Sequence, residues 1–457
     1  MFAKKTLLLF GFITFAYTLL VSLVYVLRNG NIIYDVASYY ILRVVEHNWL
    51  YDHLGFGGVD IPVSLTRLLM KGIDASFSYF WFQICLGLIV LILIMFLLQK
   101  EQISFSLSVM TLLLFITSST FLFSLFSLSH SLIWLALLLI LYFLLREKKY
   151  WAAIILTFLL PFFGFALFLL QIVLYVFLYN RRDLLSKKRL YTYGFATILG
   201  MILYFLFYLF TNGSVLSLFL ISFEDFIIIF TVAKGFSLFL LILYVAGIFI
   251  LWNQKTRRFL LASLGVFFIS LFFVEIILLH TLIMSIIVSF SLQKIHKHAW
   301  ENQIFYYGSL ACLLVFFVGS FSFAISSLEQ ERPEVGELQA IQEIRPGMKV
   351  LSSPENGFLL ESAGAKTFIN NFRQVPHYRE RKSHLTIFDS TNLEELHTFL
   401  DDFSITHIYL TPSMKEQYWF GMQTGMLRLL EDESFERVYN QDGFTIYTYR
   451  RSTLASE

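Results

Sequence analysis

Between Thr6 and Ile325 the chain is a succession of apolar runs, most of them about 20 residues long, and this pattern leaves few folds open. A helix of that length spans the hydrocarbon core of a bilayer and satisfies its own backbone hydrogen bonds there. The composition agrees: 57% of residues are hydrophobic and 14% charged, against about 25% charged in an ordinary soluble protein. The expected class is a polytopic α-helical membrane protein. A net charge of +2 gives no basis for nucleic-acid binding. Both cysteines, Cys85 and Cys312, lie inside apolar runs, so neither a disulfide framework nor a cysteine metal site is expected.

The first run, Thr6–Leu27, follows Lys4-Lys5 and has no small-residue cleavage pattern after it, so it reads as a retained span. Tyr79–Leu98, Leu190–Thr211, Gly235–Trp252 and Phe305–Ile325 are further single spans. Ile103–Leu145 is long enough for two, turning at a polar hairpin over Thr117–Ser131, and Arg258–Leu292 reads as two helices meeting near Glu275. Tyr150–Asn180 fits either one helix kinked at Pro161 or two short helices turning at Pro161–Gly164. Charge separates the two. With the hairpin, sixteen Lys and Arg fall on the side of the N-terminus and five on the other (Arg28, Arg43, Arg67, Lys71 and Lys234), a strong positive-inside asymmetry. The expectation is therefore eleven spans in the cell membrane, with a cytoplasmic N-terminus and an external C-terminus.

This topology places eight of the twelve acids that precede residue 329 outside or at the outer boundary, including Asp35, Asp52, Glu224, Asp225 and Glu275. Acids hardly count in the topology rule and are free to sit there; an outer acidic cavity for a cation or for acid–base work is the other reading. The first outer loop, Arg28–Ser78, carries five of them. Within it, Ile41, Leu42, Val44, Val45 and Trp49 share one helical arc, while Arg43, Glu46 and His47 share the other. This is the pattern of an interfacial amphipathic helix. Gly55, Gly57 and Gly58 follow Asp52 in a tight turn that lacks the strand and the Gly-Lys-Ser/Thr of a nucleotide loop. His130, in the polar hairpin, reads as a ligand or base, or as packing. Glu275 and His280 lie in apolar surroundings, and His296-Lys297-His298 belongs to the cytoplasmic charge.

From residue 328 to 457 the composition becomes charged and mixed, as in an external domain of ordinary size. Strands are expected at Lys349–Ser353, Thr367–Asn370 and Thr406–Leu410, with a hairpin of Phe435–Asn440 and Phe444–Arg450 around Asp442-Gly443. Helices are expected at Glu355–Ala363, from a capping box at Thr391–Glu394 to about Phe403, and over Ser413–Glu431. The alternation makes a small α/β domain. Arg373, His377, Arg379, Arg381 and Lys382 form a basic cluster suited to an anion or to plain solvation.

Several stretches together resemble the GT-C fold glycosyltransferases, and among them the archaeal-type relatives of the oligosaccharyltransferase catalytic subunit. Ser38-Tyr39-Tyr40-Ile41-Leu42-Arg43 is similar to the family's Asp-Ser-Tyr-Tyr-x-Leu-Arg segment, and Tyr51–Gly58 to its Tyr-Asp-Pro-Leu-Ser-x-Gly-Gly turn. Ile221–Glu224 resembles its outer-loop Ser-x-Glu motif. The resemblance implies a membrane transferase that takes a sugar from a polyprenyl-phosphate-linked donor and passes it to an external acceptor. It further implies Asp35 as the catalytic acid, Glu224 in support, and Arg43 at the lipid phosphate. Tyr39, Tyr40, Asp52 and His130 would line the substrate. A divalent metal, where used, would rest on Asp35 and Glu224. The departures are specific. The family's catalytic Asp falls at Ala37, and Ser127–Ser131 holds no acid where a metal-binding motif is expected. Ser353–Phe358 stands where the family carries Trp-Trp-Asp-Tyr-Gly, which argues against sequon-directed transfer. The alternative is an inactive relative that binds a lipid-linked glycan or a partner protein. Protease added to sealed vesicles is expected to remove the 328–457 domain only from the external face; cleavage from the cytoplasmic face alone overturns this topology.

Overall fold

The structure, a computed structural model, describes residues 9–20, 75–126, 131–163, 165–179, 187–212, 238–253, 256–270, 276–296, 333–353, 356–368, 386–419 and 425–450, with a few isolated positions between 307 and 322. It divides into two compact units: an apolar helical one that ends at Glu331, and one that holds the C-terminal α/β domain.

The helical unit contains α1 (Leu9–Leu20), α2 (Ala75–Lys100), α3 (Phe105–Ile116), α4 (Ser119–Phe126), α5 (Ser131–Arg146), α6 (Tyr150–Leu159), α7 (Phe165–Tyr179), α8 (Lys187–Asn212), α9 (Leu238–Leu251), α10 (Arg257–Ser270) and α11 (Ile277–His296). Among the described residues two stretches are long and apolar enough to cross a membrane, Trp81–Lys100 and Ile277–His296; α3 and α4 together make a third if counted as one bent span. The other apolar helices are shorter. Several expected spans reach beyond the described residues, so the eleven remain an expectation.

Two segments decide how the sequence pattern is to be read. The stretch at Pro161 is a hairpin. A 3-10 turn over Leu160–Phe163 follows α6, and the chain doubles back so that Gln171 Nε2 donates to the Thr157 carbonyl at 3.2 Å and Tyr175 Oη to Thr157 Oγ1 at 3.2 Å. On one continuous helix, residues 157 and 175 would stand about 27 Å apart. The second segment, Thr117–Thr120, is not the hairpin loop that its polarity suggests. It is a bend of 57° between α3 and α4. Thr117 Oγ1 donates to Leu113 O at 2.7 Å and Ser118 Oγ to Phe115 O at 2.6 Å, which closes the end of α3. Ser118 Oγ then accepts the Phe121 N–H at 3.3 Å, an N-cap for α4. The hydroxyls replace backbone bonds lost at the bend, so α4 continues fully buried.

α11 is the core helix of this unit and packs against α3, α4, α5, α9 and α10. It is rich in hydroxyls, and each buried one is bonded within the helix: Thr281 to Ile277 O, Ser285 to Thr281 O, Ser289 to Ser285 O and Ser291 to Ile287 O, at 2.7–2.9 Å. Small residues bring the partner helices close. A Cβ at Gly247 of α9 would lie 2.7 Å from Ser291 Oγ, and one at Gly200 of α8 would lie 2.3 Å from the Phe158 carbonyl oxygen of α6.

The C-terminal domain is a five-stranded sheet in the order β2-β1-β3-β5-β4. Its strands are β1 (Lys349–Leu351), β2 (Lys366–Thr367), β3 (His407–Leu410), β4 (Phe435–Gln441) and β5 (Phe444–Tyr449). β1 pairs in parallel with β2 and β3, and the β5–β4 hairpin runs antiparallel. Its helices are α12 (Val335–Gln342), α13 (Gly357–Ser362), α14 (Leu393–Asp402), α15 (Pro412–Trp419) and α16 (Met426–Leu429). The period of two sorts the core. Leu351, Ile408, Leu410, Tyr447 and Tyr449 face one apolar layer with Leu396, Phe399 and Leu400 of α14. Val350, Tyr409, Phe444 and Ile446 face the other with Ala340 and Ile341 of α12. The hairpin turn at Asp442-Gly443 has both residues at positive φ, 52° and 82°, as a two-residue turn of the favoured hand requires. Two expectations shift. The cap of α14 is Asn392, whose Oδ1 accepts the Glu394 N–H at 3.0 Å, one residue after the expected Thr391. The expected helix over Ser413–Glu431 is two short ones, α15 and α16, with Gly425 at φ +55° before the second, where a Cβ would lie 2.7 Å from the Phe388 carbonyl oxygen.

Gly200→Leu is expected to force α8 off α6 and to lower stability by about 1–3 kcal/mol, read as a lower thermal midpoint of the full-length protein in detergent.

Candidate functional site

The residues to which the sequence assigns chemistry, Asp35, Tyr39, Tyr40, Arg43, Asp52, His130 and Glu224, lie outside the described residues. So do Glu275, the basic cluster of 373–382 and the interfacial helix. Two other places concentrate polar groups.

The first is inside the helical unit. Thr120 Oγ1 of α4 and Thr281 Oγ1 of α11 share a hydrogen bond of 2.9 Å across two helices. Next to Thr281, His280 is fully buried. Its ring stands edge-on to Tyr244 of α9 at 5.2 Å and tilted against Phe267 of α10 at 5.3 Å. Tyr244 Oη in turn bonds Ser263 Oγ at 2.6 Å. Aromatic rings of α9 and α10 thus converge on one imidazole near the start of α11. The sequence singled out His280 only as an ionisable group in an apolar run; its aromatic cage has no sequence signature, because α9, α10 and α11 meet it through tertiary packing. Among the described residues no group of three or more His, Cys, Asp or Glu is placed to hold a metal.

The second place is the carboxyl edge of the parallel strands in the C-terminal domain. From β1 the chain crosses to β2 on one side and then to β3 on the other, so the order reverses between β1 and β3. Clefts beyond the carboxyl ends of strands at such a switch point bind ligands in open α/β sheets. Here Ser352, Ser353 and Asn356 follow β1, and Thr411 and Ser413 follow β3. Asn356 Nδ2 donates to Ser352 Oγ at 3.0 Å and lies 3.4 Å from Met414 Sδ. Thr411 Oγ1 bonds Ser413 Oγ at 2.9 Å and accepts the Met414 N–H at 3.2 Å, capping α15. Lys415 Nζ reaches Gly443 O at 2.6 Å and Thr445 Oγ1 at 2.9 Å. Burial, helped by the charge of Arg437, holds this ammonium below its usual range. Ser352, Ser353 and Thr411 are almost wholly buried. The cluster consists of hydroxyls, one amide and a lysine, bonded to one another and to the backbone at the strand ends. It includes Ser353 and Asn356 of the Ser353–Phe358 element singled out in the sequence.

Glu337 of α12 lies under the sheet near Tyr409. Burial pushes its carboxyl up to about 7; the N–H of Glu334 works against this and the Glu334 carboxylate adds to it. Tyr409, buried in the same layer, is also pushed up by burial, with Glu337 the next contributor. The folded domain therefore binds a proton at Glu337 that the unfolded chain releases near 4.5. Stability tied to it is complete below that value and is lost as pH rises from about 4.5 towards 7. Protection factors of the β1 amides in the full chain, with the pH dependence of intrinsic exchange divided out, should fall across this window in wild type. Glu337→Gln should flatten the dependence and slow exchange at pH 8.

Three solved structures share the fold. An oligosaccharyltransferase of Archaeoglobus fulgidus, tethered to an acceptor peptide containing the NVT sequon, superposes with a TM-score of 0.59 at 14% identity over 97% of this chain and 74% of that one. ArnT from Cupriavidus metallidurans bound to undecaprenyl phosphate gives 0.57 at 13% identity over 97% and 99%. ArnT in the apo state gives 0.57 at 13% over 95% and 97%. No protein-family model and no curated protein matches the sequence. At such identities the likeness establishes the fold: this chain has the GT-C fold of a membrane protein.

Proposed function

We propose that this chain is an integral membrane glycosyltransferase of the GT-C kind. It transfers a sugar from a polyprenyl-phosphate-linked donor to an acceptor outside the membrane. The observation that carries this reading is the likeness to ArnT, a protein crystallised with undecaprenyl phosphate, over 97% of this chain and 99% of that one. The match extends through both the helical unit and the C-terminal domain, so it is not a likeness of helical packing alone.

In this reading the acceptor hydroxyl attacks the anomeric carbon of the donor. The bond from that carbon to the phosphate oxygen breaks, and the polyprenyl phosphate departs with the bonding electrons. The acceptor proton passes to the Asp35 carboxylate, with Glu224 in support and Arg43 as the residue for the lipid phosphate. General-base assistance of this kind is worth about 10²–10⁴-fold. A divalent metal, if used, would take Asp35 and Glu224 as ligands and supply Lewis-acid activation there. The C-terminal cluster around Asn356 and Ser352 is the place for neutral hydroxyl or amide groups of an acceptor.

A second reading rests on Ala37, which occupies the position of the family's catalytic Asp, and on Ser127–Ser131, which lacks an acid. Here the protein binds the lipid-linked glycan or a partner protein without turnover. Asp35→Asn separates the two. With intact membrane insertion, it should lower sugar transfer from a polyprenyl-phosphate sugar by at least about 100-fold. Unchanged transfer removes Asp35 from the role. Retention of the donor by wild-type protein with no transfer favours the non-catalytic reading.

A further inference from the structure

Away from every residue discussed above as a catalytic or acceptor-binding group, the helical unit carries a groove of about 360 Å³ between α2 and α5. Its walls are Phe96 of α2 and Ile140, Phe143 and Leu144 of α5; Lys100 and Lys149 stand at its end. Phe96 and Ile140 are exposed at 48% and 36%, so the groove opens along the outer surface of the helices, and among the described residues no further element lines it.

The charges at that end are mostly spent on one another. Arg146 bonds Glu101 and the Lys100 carbonyl, Tyr142 bonds the same Glu101, and Lys100 is ion-paired with Glu147. Lys149 has no hydrogen-bonded carboxylate among the described residues, and it is exposed. The groove is therefore apolar along its length, with Lys100, Lys149 and the Glu147 carboxylate at its mouth; Lys100 is paired with Glu147 and the Lys149 charge also acts on it, so the mouth keeps one positive charge in excess. The depth of that mouth is marked independently. Trp151, two residues on, is 81% exposed, and Arg189 lies 3.5 Å over the Tyr150 ring. Exposed aromatic rings with Lys and Arg at a helix end are the signature of the headgroup level of a bilayer.

We propose that this groove is a binding site for an anionic diacyl phospholipid. One acyl chain lies along Phe96, Ile140, Phe143 and Leu144, and the phosphodiester meets the Lys149 ammonium. Basic pockets between membrane helices hold anionic headgroups in this manner. One positive charge in excess at the mouth matches the single charge of a phosphodiester better than the doubly charged phosphate monoester of a polyprenyl carrier. The site is independent of the transferase reading and requires only that the helical unit lie in a bilayer.

The test uses full-length protein in detergent and counts bound lipid by native mass spectrometry. Phosphatidylglycerol and phosphatidylcholine with identical acyl chains, undecaprenyl phosphate, and inorganic phosphate are compared. Phosphatidylglycerol should be retained about fivefold over phosphatidylcholine, as one lysine near a headgroup warrants. Lys149→Gln should bring the two lipids level, and Ile140→Trp, which fills the groove, should lower retention of both. Equal retention of the two lipids by wild-type protein overturns the proposal. So does a preference that survives Lys149→Gln, stronger retention of undecaprenyl phosphate than of phosphatidylglycerol, or displacement of phosphatidylglycerol by millimolar inorganic phosphate.

Discussion

The helical unit depends on one constraint: α11 is buried among five other helices and yet carries a hydroxyl at almost every turn. In an environment without water, each buried hydroxyl needs a partner within the protein. The helix meets this need internally. Thr281, Ser285, Ser289 and Ser291 each donate to a carbonyl one turn earlier, so the groups that would repel an apolar neighbour are already satisfied. What they offer outward is small size. Gly247 of α9 approaches so closely that a Cβ there would meet Ser291 Oγ at 2.7 Å and Ile287 Cγ2 at 3.0 Å. Thr281 alone also reaches across, to Thr120. The same economy explains the bend between α3 and α4, where Thr117 and Ser118 supply the bonds that the interrupted backbone lacks.

The C-terminal domain follows a different rule. Its sheet has apolar layers on both faces, and the alternation of Val350 with Leu351, or of Ile408, Tyr409 and Leu410, assigns each side chain to a layer. That leaves the polar residues at the strand ends. Ser352, Asn356, Thr411 and Ser413 are brought together because β1 and β3 are neighbours although more than fifty residues separate them in sequence. The antiparallel β4–β5 hairpin extends this sheet on the β3 side, and Lys415 ties the turn of that hairpin to α15.

What was legible in the sequence depended on whether the signal was local. The hairpin at Pro161 was legible because Lys and Arg counts on either side of it distinguish the alternatives, and the hydrogen bonds that Gln171 and Tyr175 donate to Thr157 agree. The turn at Asp442-Gly443 was legible because its dihedral angles demand those residues. Of the polar hairpin expected over Thr117–Ser131, the first residues instead bend one helix into the next, since a run of hydroxyls looks the same whether it meets water or closes a helix end; residues 127–130 lie outside the described residues. The helix expected over Ser413–Glu431 overran Gly425, whose positive φ and contact with Phe388 are tertiary facts. Of the candidate site, the Asn356 element was visible as a motif, but its Thr411 and Ser413 partners were not, because only strand order places them there. The acids of the first outer loop fall outside the described residues, and for them sequence remains the ground of argument.

The internal bonding of α11 also bears on how such a helix can change over generations. A serine that donates only to its own backbone can be exchanged for alanine without stranding a partner, because the carbonyl it leaves keeps its amide bond. Ser285 and Ser289 are therefore positions of latitude, where sequence can drift while the packing endures. Thr120 and Thr281 are bound to one another, and loss of either removes the bond between α4 and α11, while Thr281 keeps Ile277 O and Thr120 keeps Ser118 Oγ. Within one buried seam the fold thus holds both serines bonded inside their own helix and a threonine pair that joins two helices.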